Sequence, residues 1–452
     1  MSRSRNPRVI SLEILRRVEV DQAYADILLD NAFKRESGLD SRDKRFVTEL
    51  VYGCLRWQGK LDWIISNFSR KKLSLEVLLI LRLGVYQLIF LNKVPPYAVV
   101  NEAVKLARRF GHGRAAGFVN GVLRSVESKQ EKIAFLPLIE DPVSHIASVY
   151  SHPKWMVERW LRMFGQEETI SLCTANNQTP PLTLRTNTLK ISREELSHYL
   201  RKKTSVAQKT SFSPEGLSLK GADSFLWEDE SYQKGWFQVQ DEASQLIPHL
   251  LSPQKGEAIL DVCAAPGGKS THIAQLIRDR GEVWAVELNA ARLKLLKENC
   301  SRQDITSIKP ILGDINRSLP PLKGKKFHRI LVDPPCSGLG VLRRNPEGKW
   351  RVKERDITTL ADIQKKILES ASRYLLEGGT LVYSTCTITP EENTGVLEGF
   401  LDAHPDFSLE PVSGLLPESC ADLTDENGFF RSHPHHHSLD GFFAARLKKN
   451  PG

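Results

Sequence analysis

The chain has 452 residues, more than one ordinary domain holds, so two or three domains are expected. Hydrophobic residues at 40% and charged residues at 26% are globular values, with enough apolar material to bury real cores. Lys+Arg 63 against Asp+Glu 54 leave a net +9, a weak pointer to a polyanionic partner such as nucleic acid.

The opening "MSRSRNPRVI" is basic but has no apolar stretch or small-residue cleavage site. No secretory signal is read there, and a cytoplasmic setting with reduced thiols is expected. "PRVISLEILRRV" places Val9, Leu12, Leu15 and Val18 at three-residue steps. "KRFVTELVYGCLRW" places Phe46, Val47, Leu50, Val51, Cys54 and Leu55 on one stripe, so both read as amphipathic helices. Residues 75–91 form the most apolar window, but Glu76, Arg82 and Gln87 interrupt it and it is short of a bilayer span. A buried helix is expected, with no membrane association. Pro95 and Pro96 end it, "YAVVNEAVKLARRF" starts another helix, and "GHG" at 111–113 breaks the chain before "RAAGFVNGVLRSV". Residues 1–145 therefore read as an all-α module, and 146–175, with Trp155 and Trp160, as a connecting helix.

From "PPLTLRTNTLK" to "GWFQVQDEASQ" short strands mix with turns, which predicts a small α+β subdomain over 176–250. After about residue 256 the rhythm is regular: "AILDVCAAPGGKS", helix, "EVWAVEL", helix, "IKPILGDI", "HRILVDPP", a long helix, "GTLVYSTC". Strands alternating with helices predict parallel βαβ units and a doubly wound, Rossmann-like α/β domain over 251–449. The seven cysteines, Cys54, Cys173, Cys263, Cys300, Cys336, Cys386 and Cys420, include no CxxC pair, so no disulfide framework and no metal site is expected. "HPHHH" at 433–437 reads as a solvated loop.

In an open α/β sheet, ligands bind beyond the carboxyl ends of the strands. "ILDVCAAPGGKS" puts Gly267 and Gly268 at the first strand-to-helix turn, where backbone amides can approach a ligand. It is neither GxGxxG nor GxxxxGK[ST], so a dinucleotide or NTP phosphate site is not supported. Glu287 ends the second strand, 26 residues after Asp261 (287 − 261), where an acid can take both hydroxyls of a ribose. Asp314 ends the third, where a carboxylate can accept from an exocyclic amine. A nucleoside bound without pyrophosphate is indicated, and S-adenosylmethionine fits. Cys336 in "DPPCSGLG" and Cys386 in "YSTC" each follow a probable strand, 50 residues apart (386 − 336). A disulfide, a metal pair, core filler and a catalytic pair all remain open at this point.

"DVCAAPGGKS", "LGDI", "LVDPPCSGLG", "RRNPEGKW" and "YSTCTITPEEN" resemble the RNA cytosine-C5 methyltransferases of the NOL1/NOP2/Sun family, as do "RTNTLK", "FQVQDEASQ" and "DGFFAARL". "AYADILLDNAF", "ELVYGCLRW" and "FVNGVLRSV" resemble the NusB RNA-binding fold. The likeness covers nearly the whole chain. It implies S-adenosylmethionine held by Cys263, Ala264, Ala265, Pro266, Gly267, Gly268, Lys269, Glu287, Asp314 and Asp333. The helical module argues for 16S ribosomal RNA as partner; binding before full subunit assembly and a monomeric state are further expectations. Three departures stand out: Glu287 where many members have Asp, Thr387 where Ser is commoner, and "RRNPEGKW" for the usual "RRHPD-KW".

Carbon 5 of cytosine is too electron-poor to take a methyl group unaided, and a thiolate adding to carbon 6 makes it nucleophilic. The resemblance gives that attack to Cys386, assistance in product release to Cys336, and the pyrimidine's N3 and amino edge to Asp333. An opposite assignment, with Cys336 as nucleophile, stays open. Arg185 and Asn187 are expected to touch RNA phosphate or sugar, while Gln240 and Asp241 are structural candidates. Arg343, Arg344, Lys349 and Arg351 form a basic stretch suited to phosphates. The target base must leave its stack to reach a buried thiol. A transfer RNA methyltransferase and a non-catalytic, NusB-like RNA-binding factor are the competing readings.

Overall fold

A computed structural model describes residues 6–36, 38–69, 72–111, 113–220, 226 and 228–452. Residues 1–5 of the basic start and His112 of the 111–113 break lie outside the described residues. The chain forms two compact units: Met1–Thr179 with Leu342–Val352, and Pro180–Val341 with Lys353–Gly452.

The first unit is helical. Pro7–Val20 starts on an Asn6 cap with Pro7 at its first position, and Ser41–Arg56 starts on Asp40, which accepts from Asp43 N at 2.7 Å. Their apolar stripes, with those of Ala25–Arg35, Gln58–Phe68, Leu75–Phe90, Pro96–Phe110 and Ala115–Ser128, close one core around Ile10, Leu15, Leu50, Leu61, Leu83 and Leu123. The apolar helix Leu75–Phe90 is buried as expected. Its Arg82 is satisfied by both oxygens of Asp62, each at 2.7 Å, and by Glu19 at 2.8 Å. Among the described residues no helix is long and apolar enough to cross a membrane. Pro142–Val149 and Lys154–Asn176 follow, the latter bent where Gly165 takes φ 77.

The chain returns to this unit at Leu342–Val352, and here the expected basic, phosphate-facing stretch is corrected. Lys349 is fully buried; its Nζ donates to Arg56 O and Ser151 O, both at 3.2 Å, and to Asn177 Oδ1 at 2.6 Å. Trp350 Nε1 donates to Leu55 O at 2.8 Å, and Arg351 donates to Val18 O and Ala23 O. Arg343 is buried as well, and Arg344 half-buried. Lys349 and Arg351 are thus taken up by carbonyls of the helical unit, among them Arg56 O and Val18 O at helix ends.

The second unit holds two sheets. β1 (Leu182–Thr186), β2 (Val206–Lys209), β3 (Gly216–Lys220) and β4 (Phe237–Val239) form an antiparallel sheet in the order β2-β3-β1-β4. Helix Arg193–Arg201, started by a Ser192–Glu195 capping box, shares a core with it through Leu184, Leu196, Leu200, Leu217 and Phe237. The larger sheet runs β5 (Ala258–Val262), β6 (Glu282–Glu287), β7 (Ile308–Leu312), β8 (Phe327–Val332), β9 (Leu375–Thr385), β10 (Phe407–Glu410), β11 (Phe430–Ser432) and β12 (Phe442–Lys449). Its order is β10-β12-β9-β8-β5-β6-β7, with β11 paired to β12. β5 to β9 are parallel, as the βα rhythm predicts. Ile259 and Val283 join helices Glu242–Leu251 and Gly268–Leu276 in one core, while Leu260 and Val262 join Glu354–Ser372 and Thr394–Ala403 in another. The sheet is therefore wound on both faces.

Two expectations differ from the structure. β10, β11 and β12 add an antiparallel edge; between β11 and β12 lies only the single helical turn Pro434–His437, too short a connection for a parallel crossover. The 433–437 tract is a helical turn, Pro434–His437, and not a solvated loop; burial and the neighbouring histidines push the His433 pKa down to about 3.

Candidate active site

β5 lies between β6 and β8, so the chain fans out in opposite directions from β5 and leaves a crevice at the carboxyl ends. The register aligns Val262 with Val332 and Val332 with Tyr383, which brings the residues after β5 and β8 level with the end of β9. Asp261, Asp333, Ser384 and Cys386 meet there for that reason.

The turn after β5 is tightly built. Cys263 takes φ 63 and Gly267 φ 98, where a Cβ would also press on Leu296 Cγ at 3.0 Å. Ala264 N donates to Val286 O at 3.1 Å and Ala265 N to Glu287 Oε2 at 3.3 Å, so the turn is fastened to the end of β6. Glu287 also accepts from Asn289 N at 2.9 Å, and Asp314 accepts from Asn316 N at 3.0 Å. Leu288 and Leu312, beside these two acids, are 70% and 55% exposed. Buried Asp261 accepts from Ser270 Oγ at 2.5 Å, and its Oδ1 has no protein partner. Apolar surface flanked by carboxylate acceptors, under a glycine turn, fits an adenosine, whose ribose hydroxyls and amino group donate.

Asp333 follows β8. Its Oδ2 accepts from Lys269 Nζ at 2.6 Å and its Oδ1 from Ser384 Oγ of β9 at 2.8 Å. Burial opposes the charge of Lys269, but Asp333, Cys386 and Asp261 outweigh it and hold the ammonium's pKa above its ordinary value. Lys269 is thus an inward-facing cation, packed 5.5 Å over the Phe442 ring, and not an exposed helix-start lysine.

Cys336 and Cys386 lie with their sulfurs 3.1 Å apart. That is hydrogen-bond contact, well beyond the roughly 2.05 Å of a disulfide. The bond to Cys386, then burial and the charges of Cys386 and Glu392, push the Cys336 thiol well above its usual range. Either sulfur can donate in this contact. The four cysteines Cys54, Cys173, Cys300 and Cys420 are buried core residues.

Backbone contacts fix the second cysteine. Gly340 N donates to Cys386 O at 3.0 Å, and Gly441 N donates to Gly340 O at 2.8 Å. A Cβ on Gly340 would fall 1.9 Å from Gly441 O, so "CSGLG" and "DGFF" each need glycine where the two chains cross. Below this, Ser337, Thr387, Thr389, Gln364 and Glu392 form a buried polar layer joining the two cysteine loops. Sequence reading missed that layer, along with Ser384 and Gly441. The only trace was "TPEEN", six residues beyond Cys386 at Glu392 (392 − 386).

Arg185 and Asn187, expected to touch RNA, are corrected by their burial. Arg185 is fully enclosed and donates to Gln275 Oε1 at 3.1 Å, Thr271 Oγ1 at 2.9 Å, Gly268 O at 2.5 Å and Gln240 Oε1. Asn187 donates to Gly235 O at 2.9 Å and Gln303 O at 3.2 Å. Both point inward from β1 and its exit; Arg185 braces the glycine turn from behind, and Asn187 ties the turn at Gly235 to Gln303 at the end of helix Ala290–Gln303. Gln240 shares this brace, and Asp241 caps helix Glu242–Leu251 by accepting from Ala243 N at 2.8 Å.

Comparison with known proteins agrees with this architecture. Residues 248–448 match the family described as 16S rRNA methyltransferase RsmB/F, residues 5–128 the NusB family, and residues 152–225 the ferredoxin-like domain of RsmF/B-like methyltransferases. The probable ribosomal RNA small subunit methyltransferase B of Bacillus subtilis is 38% identical over 98% of each chain. Its namesake in Synechocystis is 38% identical over 98% of this chain and 99% of the relative. The solved structure of PH0851 superposes with a TM-score of 0.83 over 99% of both chains at 28% identity. NSun6 from Pyrococcus horikoshii, solved with SFG, gives 0.60 over 67% of this chain and 100% of its own at 26% identity.

A NusB-type helical unit with a doubly wound catalytic sheet defines a methyltransferase of the Sun class. The chain belongs to the ribosomal RNA small subunit methyltransferase B family.

Proposed function

We propose that this protein transfers a methyl group from S-adenosylmethionine to carbon 5 of one cytosine in 16S ribosomal RNA, through a covalent bond between Cys386 and carbon 6. The observation that carries this reading is the thiol pair, 3.1 Å apart, in which the Cys336 thiol is held above its usual range. A nucleophile must be a thiolate, and a neighbouring S–H that donates to it stabilises that form. Lys269 lies within electrostatic reach of Cys386 and adds to the effect.

Asp333 is held by Lys269 and Ser384 at the end of β8, which orients it toward the amino edge of a flipped cytosine. When Cys386 adds to carbon 6, negative charge spreads over the ring toward N3, beside the Lys269 ammonium. A fixed cation there lowers the barrier, because nothing has to reorganise as charge develops. The turn 263–269, Glu287 and Asp314 hold the cofactor, which supplies the electrophilic methyl group. The basic net charge and the helical unit favour a polyanionic substrate.

The test is methyl transfer from labelled S-adenosylmethionine to protein-free 16S ribosomal RNA, with 5-methylcytosine mapped. One modified cytosine is the expected result. Labelling of transfer RNA alone would discard the substrate, and RNA binding without transfer to either would leave only a binding factor.

A further inference from the structure

Glu392 is fully buried in the turn Pro390–Glu392, and its carboxylate is where the two cysteine loops join. From the Cys336 loop, Ser337 gives its N–H to Oε1 at 2.8 Å and its hydroxyl to Oε2 at 2.5 Å. From the Cys386 loop, Thr389 Oγ1 donates to Oε2 at 2.7 Å, and Thr387 Oγ1 lies 2.8 Å from Ser337 Oγ. Gln364 Nε2 donates to Oε1 at 3.0 Å and also to Pro335 O at 3.0 Å, tying helix Glu354–Ser372 into the same knot. Tyr383 OH reaches the Glu392 carbonyl at 2.6 Å.

Among the described residues no cation pairs with this carboxylate. Burying an unpaired charge is costly and survives only where every lone pair is used. Here four donors converge on two oxygens: two N–H groups on Oε1 and two hydroxyls on Oε2. Glutamine has the same size, but it loses the charge and fits only if the Ser337 and Thr389 hydroxyls both turn to accept from its amide, which breaks the donor pattern that ties the two loops to one carboxylate. The negative charge also pushes the Cys336 thiol upward.

We infer that Glu392 is a positioning residue that sets the 3.1 Å separation of Cys336 and Cys386 and so governs release of the methylated product. Its grip on the Ser337 N–H fixes the peptide next to Cys336, and with it the direction of that side chain. The inference rests on the reading that Cys386 attacks and Cys336 assists release. In release, the C5–H proton passes to water, and the electron pair it leaves forms the C5=C6 bond as the C6–S bond breaks with its pair going to the Cys386 sulfur. Meanwhile the Cys336 S–H donates a hydrogen bond to the departing thiolate. A displaced Cys336 leaves bond making intact and slows bond breaking.

The experiment compares the full-length protein with its Glu392→Gln variant on 16S ribosomal RNA. The first turnover should stay within about threefold, steady-state turnover should fall at least about 10-fold, and a denaturation-resistant protein–RNA adduct should accumulate. A merely structural role would slow both phases together without adduct; that result, or no change in either phase, overturns the inference. If Glu392→Gln does not fold, Ser337→Ala removes two of the bonds and should give the same pattern more weakly. A function-independent arm separates this inference from the proposed reaction. Diamide takes two hydrogens from the thiol pair, giving a Cys336–Cys386 disulfide and the reduced hydrazine. Cross-linking should be at least about 10-fold slower in Glu392→Gln, since exchange depends steeply on sulfur placement. Equal cross-linking rates would overturn the clamp even if the unmodified protein methylates no RNA.

Discussion

Lys269 Nζ lies 2.6 Å from Asp333 Oδ2, joining the first turn of helix Gly268–Leu276 to the residue that ends β8. The glycine turn and the "DPPC" loop are thereby coupled through one ion pair. Lys269→Met keeps the packing over Phe442 but removes the charge. Methyl-transfer kcat/KM should fall about 10²- to 10³-fold, the usual loss when one preorganised electrostatic partner is deleted. Activity within threefold of the unmodified protein would contradict the role given to this cation.

Asp261 makes stability depend on pH. Burial, with the charges of Asp333 and Glu287 adding and the Ser270 hydrogen bond opposing, pushes its pKa up to about 7. The unfolded chain ionises the same group near 4, so between these values the folded protein holds a proton that the unfolded chain has lost. Stability from this group is full below about pH 4 and declines as pH rises toward 7. From pH 5 to pH 7.5 the decline should be about 3 kcal/mol by denaturant titration. Asp261→Asn should remove that slope, and equal slopes for the two proteins would refute the shift.

The carboxyl-end acids, the glycine turn and both cysteines were legible in the sequence, because parallel βα units confine functional groups to one edge of the sheet. The helical unit was legible through three- and four-residue apolar spacing. Arg185 and Lys349 were misread for one reason: a cation in a polar stretch looks solvated, and only the fold reveals which carbonyls it meets. Glu392 was invisible for the converse reason, since an acid in a "PEEN" turn gives no sign of burial. The antiparallel edge escaped because the residue pattern of a strand such as Phe442–Lys449 sets which face is buried and not the direction in which it pairs.

Lys349 anchors Leu342–Val352 in the helical unit. Its full burial pulls its pKa down to about 7, yet three acceptors surround it. Lys349→Ala leaves Arg56 O, Ser151 O and Asn177 Oδ1 unpaired, which should cost about 2–4 kcal/mol in chemical denaturation. An unchanged denaturation midpoint would show that these bonds are dispensable.

Gly340 is a second structural test point. Gly340→Ala puts a methyl 1.9 Å from Gly441 O and must separate the two chains. The variant should lose about 3 kcal/mol of stability and, with the Cys386 carbonyl released, most of its turnover. Full activity would mean that the crossing does not hold Cys386 in place.

The central claim is that Cys386 forms the bond to RNA and Cys336 helps to break it. Trapping tests it most directly: Cys336→Ala and Cys386→Ala variants are incubated with 16S ribosomal RNA and S-adenosylmethionine, then resolved under denaturing conditions. A stable protein–RNA complex should accumulate with Cys336→Ala and be absent with Cys386→Ala. A complex that forms with Cys386→Ala and not with Cys336→Ala would reverse the two roles.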